Sequence, residues 1–91
     1  MSTWISKGVD NILSDDEARW SSRYSISGNE IRRSDNTIAL TVSGNTMRSM
    51  SGYVADFDDD AIMKYGSIEY RFNGSIDKMT AALMLAIVEG L

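Results

Sequence analysis

Near Ser22 the spacing of apolar residues switches from a helical period to a strand period, so the chain must combine both kinds of element. Before the switch, Ile5, Val9, Ile12 and Leu13 recur at helical spacing, with Ser2 or Thr3 available as a cap. Ser14-Asp15-Asp16-Glu17 reads as a capping box, which predicts a second helical piece over residues 15–21 or a kink in one longer helix. After the switch, Tyr24 and Ile26 alternate with polar neighbours, Gly28-Asn29 offers a turn, and Ile31 is flanked by polar residues.

Residues 37–42 are the clearest strand, with Ile38, Leu40 and Val42 on one face. Gly44-Asn45 reads as a hairpin turn, because both residues tolerate positive φ. The return strand starts near Met47 and runs toward Tyr53, Ala55 and Phe57, with Gly52 as a bulge or break. Residues 58–65 suggest a short helix with an acidic first turn, stopped at Gly66. Residues 67–72 form another strand, with Ile68, Tyr70 and Phe72 facing one way. Asn73-Gly74 then turns the chain, and Ser75 caps a final helix over 76–89, with Asp77 in its first turn.

The expectation is a single α+β domain, residues 1–91, with about four antiparallel strands. These pack against N-terminal helical segments and a C-terminal apolar helix. Ile38, Leu40, Val42, Tyr70, Phe72, Leu83 and Ile87 should share one core.

The chain has no His and no Cys, which removes a Ser–His–Asp arrangement, thiol catalysis and His- or thiolate-ligated metals. No paired acid–base constellation is visible, so the expectation is a non-enzyme without cofactor. The absence of Cys fits a reducing compartment. The N-terminus lacks the pattern of a signal peptide. The longest apolar run, residues 81–88, falls well short of the roughly 18–20 residues of a membrane span. The protein is therefore expected in the cytoplasm, with no membrane partner.

Net charge is −4 but unevenly placed along the chain. Residues 1–17 carry Lys7 against Asp10, Asp15, Asp16 and Glu17; residues 18–53 carry five Arg against Glu30 and Asp35; residues 54–91 carry three bases against seven acids. The middle is basic and both ends are acidic, an asymmetry that can steer a charged partner. Asp56, Asp58, Asp59 and Asp60 resemble the first positions of a calcium loop. However, Ala61 stands where that loop needs Gly and Ser67 where it needs Glu, with Glu69 two residues late, so a strand end and helix cap explain them better than a metal site. Together with Asp15, Asp16 and Glu17 they are the candidate surface for a basic protein partner.

Arg23, Tyr24, Arg32 and Arg33 could meet phosphates and bases, but the overall acidity and the absence of a nucleic-acid motif rank that reading lower. The C-terminal helix is apolar all round, so it either packs against the N-terminal helix or serves self-association, as monomer or homodimer. Met47, Met50 and Met84 suit either an adaptable surface or a small core, and Trp4 and Trp20 either an interface or a core. The leading function class is a stoichiometric protein-binding inhibitor or modulator. One specific form acts on a nucleic-acid-handling complex, as anti-restriction or anti-CRISPR counter-defence proteins do. A structural or assembly subunit built on the apolar helix is second, and a nucleic-acid-binding accessory protein using residues 19–33 is third.

Overall fold

The computed structural model describes residues 2–91, and these form one antiparallel sheet of nine strands with two helices. In chain order the elements are β1 (Trp4–Lys7), β2 (Asp10–Ser14), α1 (Asp15–Trp20), β3 (Tyr24–Ser27), β4 (Glu30–Arg33) and β5 (Ile38–Ser43). They continue with β6 (Thr46–Arg48), β7 (Val54–Asp58), β8 (Ala61–Lys64), β9 (Ser67–Phe72) and α2 (Lys78–Glu89). Strands β3 to β9 follow one another as a meander. The N-terminal hairpin β1–β2 then adds to the far side of β9.

This overturns the expected four strands with N-terminal helical segments in three places. Residues 4–14 are a hairpin, because Gly8 adopts φ +63° and turns the chain over Gly8-Val9 before a helix can build. Val9 is 99% exposed at that turn, so the apparent helical stripe was coincidence. Residues 58–65 are likewise no helix. Asp58 pairs with Ala61 across a two-residue turn, with Asp59 at φ +54°. The expected return strand from Met47 is two strands, β6 and β7, parted by a turn in which Gly52 takes φ +99°.

Other local signals hold. Ser14 accepts the Glu17 N–H and Glu17 accepts the Ser14 N–H, the expected capping box of α1. Residues 67–72 form a strand, and the Gly28-Asn29 and Gly44-Asn45 hairpins stand, with only Gly at positive φ in each. Asp77, not Ser75, caps α2, accepting from the Thr80 N–H and hydroxyl.

Three bulges bend the sheet. Ile12, Ala39 and Glu69 are the extra residues where Ile5/Ser6, Ile31/Arg32 and Ile62/Met63 meet their partner strands. A bulge bends its strand and increases local twist. It also resets which face a residue occupies. Leu40 pairs with core-facing Ile31, whereas Ile38 pairs with Arg32 on the outer face. Ile38 therefore leaves the core face it was expected to share with Leu40. Ile68 leaves the side of Tyr70 in the same way and is 45% exposed.

The bent sheet curls around α2, which packs against β3, β4 and β5 near one edge and against β2 at the other. Helix α1 bridges the two edges and also packs on α2. This enclosure explains the apolar circumference of α2: seven consecutive residues, Thr80 to Ala86, are buried. Leu40, Val42, Tyr70, Phe72 and Leu83 lie in the core, with Ile87 packed against it. Ile5, Ile31, Met47, Ile62, Met84 and Leu85 are fully buried there, each stabilising the fold by about 1.5–3 kcal/mol.

Candidate partner-binding end

An antiparallel meander sends alternate turns to opposite ends, and here the two ends differ chemically. One end carries the β3–β4, β5–β6 and β7–β8 turns, the start of β1, the start of α1 and the β9–α2 connection. By strand position, nine of the thirteen acidic residues lie there, against Arg19, Arg71 and Lys78. The acidic first and last portions of the sequence meet because β1–β2 docks on β9.

All seven candidate residues belong to this end, but they are not equivalent. Asp15 accepts the Thr3 N–H at 3.0 Å and Arg19 Nη1 at 3.2 Å, so it anchors the chain preceding β1. Asp16 accepts from the Ser2 hydroxyl at 2.7 Å, and Glu17 completes the capping box. Asp56 lies on the outer face of β7 and accepts the Thr46 hydroxyl from β6 at 2.9 Å. Asp58, Asp59 and Asp60 are exposed, and among the described residues none of the three has an ion-pair partner. Three strand spacings of about 4.8 Å separate the β7–β8 turn from the start of α1, so the two acidic groups are near neighbours and not one cluster. No three acidic side chains converge to hold a metal ion among the described residues.

An open groove of about 830 Å³ lies between the two acidic groups. Its floor is Phe57 and Phe72, one lip is Asp59 and Asp60, and the other is the segment 73–76. That second lip is fixed by β1: the Asn73 side chain accepts the Trp4 N–H at 2.8 Å, and the Asn73 N–H donates to the Trp4 carbonyl at 3.2 Å. The Thr3 hydroxyl reaches the Ser75 carbonyl at 3.5 Å, so Thr3 touches both the groove lip and, through Asp15, helix α1. Sequence reasoning did not find this groove. Phe57 and Phe72 carried strand alternation only, and residues 73–75 read as a turn and a cap.

The residues behind the other readings are engaged elsewhere. Arg32 chelates Glu30 Oε1 through Nε and Nη2, at 3.1 and 2.7 Å, and donates to the Asn36 carbonyl. Arg33 donates to the carbonyls of Leu91 and Ile38 and to the Thr37 hydroxyl. Arg23 makes no such side-chain bond among the described residues and stacks 5.8 Å from the Tyr24 ring centroid. The face of α2 once available for self-association is enclosed by the sheet and α1. Trp20 is 87% exposed, outside the core, and Trp4 is half-buried.

No family model, curated protein or solved structure matches this chain. Among the described residues, no helix is long and apolar enough to cross a membrane.

Proposed function

We propose that this protein is a small non-enzymatic inhibitor or modulator that occupies a basic surface of another protein with its acid-lipped groove. The supporting observation is that the exposed Asp59 and Asp60, whose carboxylates have no ion-pair partner among the described residues, line the groove beside an aromatic floor, with Asp58 next to them in the chain. An Arg or Lys side chain has both a stem to lay on Phe57 and a head to place between Asp59 and Asp60. Such a contact combines a cation–π interaction with charge-assisted hydrogen bonds. Proteins that hold nucleic acid present such cations in a groove, which makes a nucleic-acid-handling complex the favoured partner class and counter-defence of the anti-restriction or anti-CRISPR kind the favoured role. Action in the cytoplasm belongs to the same reading. A net charge of −4 suits a local plug better than mimicry of a whole duplex.

The test is affinity capture with the wild-type protein and a variant carrying D58N, D59N and D60N. The wild type should retain a specific protein with a basic groove and block its binding to nucleic acid. The variant should retain less of it, with weaker dependence on wash salt. Direct retardation of nucleic acid by the protein itself at physiological salt, with no protein captured, would reverse the ranking.

A further inference from the structure

The end of the sheet opposite the groove has a different character. Its turns join β1–β2, β4–β5, β6–β7 and β8–β9. Three of these four turns carry a large apolar residue in solvent: Val9 is 99% exposed, Met50 87% and Tyr65 94%. The three turns at the acidic end carry Gly-Asn, Gly-Asn and Asp-Asp and no apolar residue. Single exposed apolar residues are ordinary on a protein surface. Three on successive hairpin turns, with none on the turns of the other end, are not ordinary scatter. Every second strand spacing makes about 10 Å, so the tips form a row ordered Val9, Tyr65, Met50.

Tyr65 adds an independent sign. It occupies φ +53°, a left-handed conformation that costs a bulky side chain about 1–2 kcal/mol and that Gly or Asn adopts more cheaply. The ring is 94% exposed there, and the contact it makes is with the Lys64 ammonium beside it. Each apolar tip also follows a cation by one or two residues, in Lys7-Gly8-Val9, Arg48-Ser49-Met50 and Lys64-Tyr65. Lys7 is paired with Glu69 at 3.0 Å, but among the described residues Arg48 and Lys64 have no carboxylate partner. Lys64 stacks 4.2 Å over Tyr53 and 5.6 Å from the Tyr65 ring centroid. With Asp10, Asp35, Glu69 and Glu89 counted against Lys7, Arg23, Arg32, Arg33, Arg48 and Lys64, this end is the positive one.

We infer that this end is a docking surface for an anionic phospholipid bilayer, with Val9, Tyr65 and Met50 entering the headgroup layer and Arg48 and Lys64 facing its charge. Isolated apolar tips in a row suit a deformable planar interface, whereas a protein partner would need a separate pocket for each. Cations beside an apolar tip are the combination that interfacial binding uses. The acidic end is repelled by the same surface, so docking orients the groove away from the lipid. The hydropathy expectation of no membrane partner rested on runs long enough to span, and a surface contact needs none.

Co-sedimentation with vesicles tests this independently of the groove. Vesicles of phosphatidylcholine and phosphatidylserine in about a 3:1 ratio should carry the protein down at low salt, and vesicles of phosphatidylcholine alone should not. R48Q and K64Q should each lower partitioning roughly fivefold, and M50S with Y65N should abolish it while circular dichroism stays unchanged. The D58N, D59N, D60N variant should bind vesicles at least as well as wild type, so failure of the groove reading and failure of this one are separable. No co-sedimentation with anionic vesicles at low salt overturns the inference, as does a tip variant that binds like wild type.

Discussion

The rings of Phe57 and Phe72 meet edge to face, with centroids 6.2 Å apart and planes inclined at 67°. The two residues sit on β7 and β9, with β8 between them, so the contact spans a strand. The same pair is the floor of the acidic groove. Fold and candidate site therefore share this contact.

Replacing Phe57 by Leu separates the two roles. Leu keeps an apolar side chain on the floor but removes the ring face and the edge-to-face contact, which is worth about 0.5–1.5 kcal/mol. The expected outcome is a folded protein, destabilised by about 1 kcal/mol in urea, whose affinity for the partner falls more than its stability does.

Leu85 distinguishes an enclosed helix from an interface helix. It is fully buried within the curled sheet, so Leu85→Ala should cost about 2–5 kcal/mol and Leu85→Glu should prevent folding. Urea unfolding followed by circular dichroism gives both values. A folded Leu85→Glu protein would mean that α2 is not enclosed.

Much of the local structure was legible in the sequence, and the failures share causes. The Ser14–Glu17 capping box and the hairpins at Gly28 and Gly44 rest on hydrogen bonds or turn geometry within a few residues, while the strand over residues 67–72 was legible as an element from its alternation. The N-terminal hairpin was missed because Val9 and Ile12, exposed in the fold, completed a false helical stripe with Ile5 and Leu13. The β7–β8 turn was missed because Asp residues favour helix starts and also tolerate left-handed turns, and Asp59 takes the second role. Ile38 and Ile68 were misplaced by bulges, which strict alternation cannot register. For the candidate site, the acidic residues were legible but the groove was not. Its lips come from residues 59–60 and 73–76 and are brought together only by the sheet.

Asp77 ties stability to acid pH. Partial burial raises its pKa, but hydrogen bonds from the Thr80 hydroxyl and N–H outweigh this and hold it below the ordinary 3.8. The folded pKa thus lies below the unfolded one, so the stabilisation is complete above 3.8 and is lost as pH falls through the lowered value. Asp77→Ala should lower stability near neutral pH by about 1 kcal/mol, and Asp77→Asn should retain most of the cap while flattening the acid limb. Asp35, also lowered by the Thr37 hydroxyl and N–H, leaves a residual limb. Urea midpoints measured between about pH 7 and about pH 3 check the sign.

Tyr53 gives the corresponding test in alkali. Its hydroxyl is buried with no hydrogen-bond partner among the described residues, and burial, then Glu89 and Glu69, push its pKa from 10.0 up to about 12. The folded state holds the phenolic proton more tightly than the unfolded chain. That stabilisation is present below pH 10 and is lost as pH rises from 10 toward about 12. Tyr53→Phe removes the unpartnered hydroxyl. It should leave neutral stability unchanged or raise it by up to about 1 kcal/mol, and it should reduce the alkaline loss. Tyr70, raised by burial and by its bond to Glu89, accounts for what loss remains.

Heteronuclear NMR of the isotope-labelled protein, titrated with a short arginine-rich peptide, tests the groove most directly. Shifts should concentrate at Phe57, Asp59, Asp60 and residues 73–76, be reversed by salt and be absent in the D58N, D59N, D60N variant. Shifts spread evenly over all exposed acids, or confined to α1 while residues 57–60 and 73–76 stay unmoved, would contradict the groove reading.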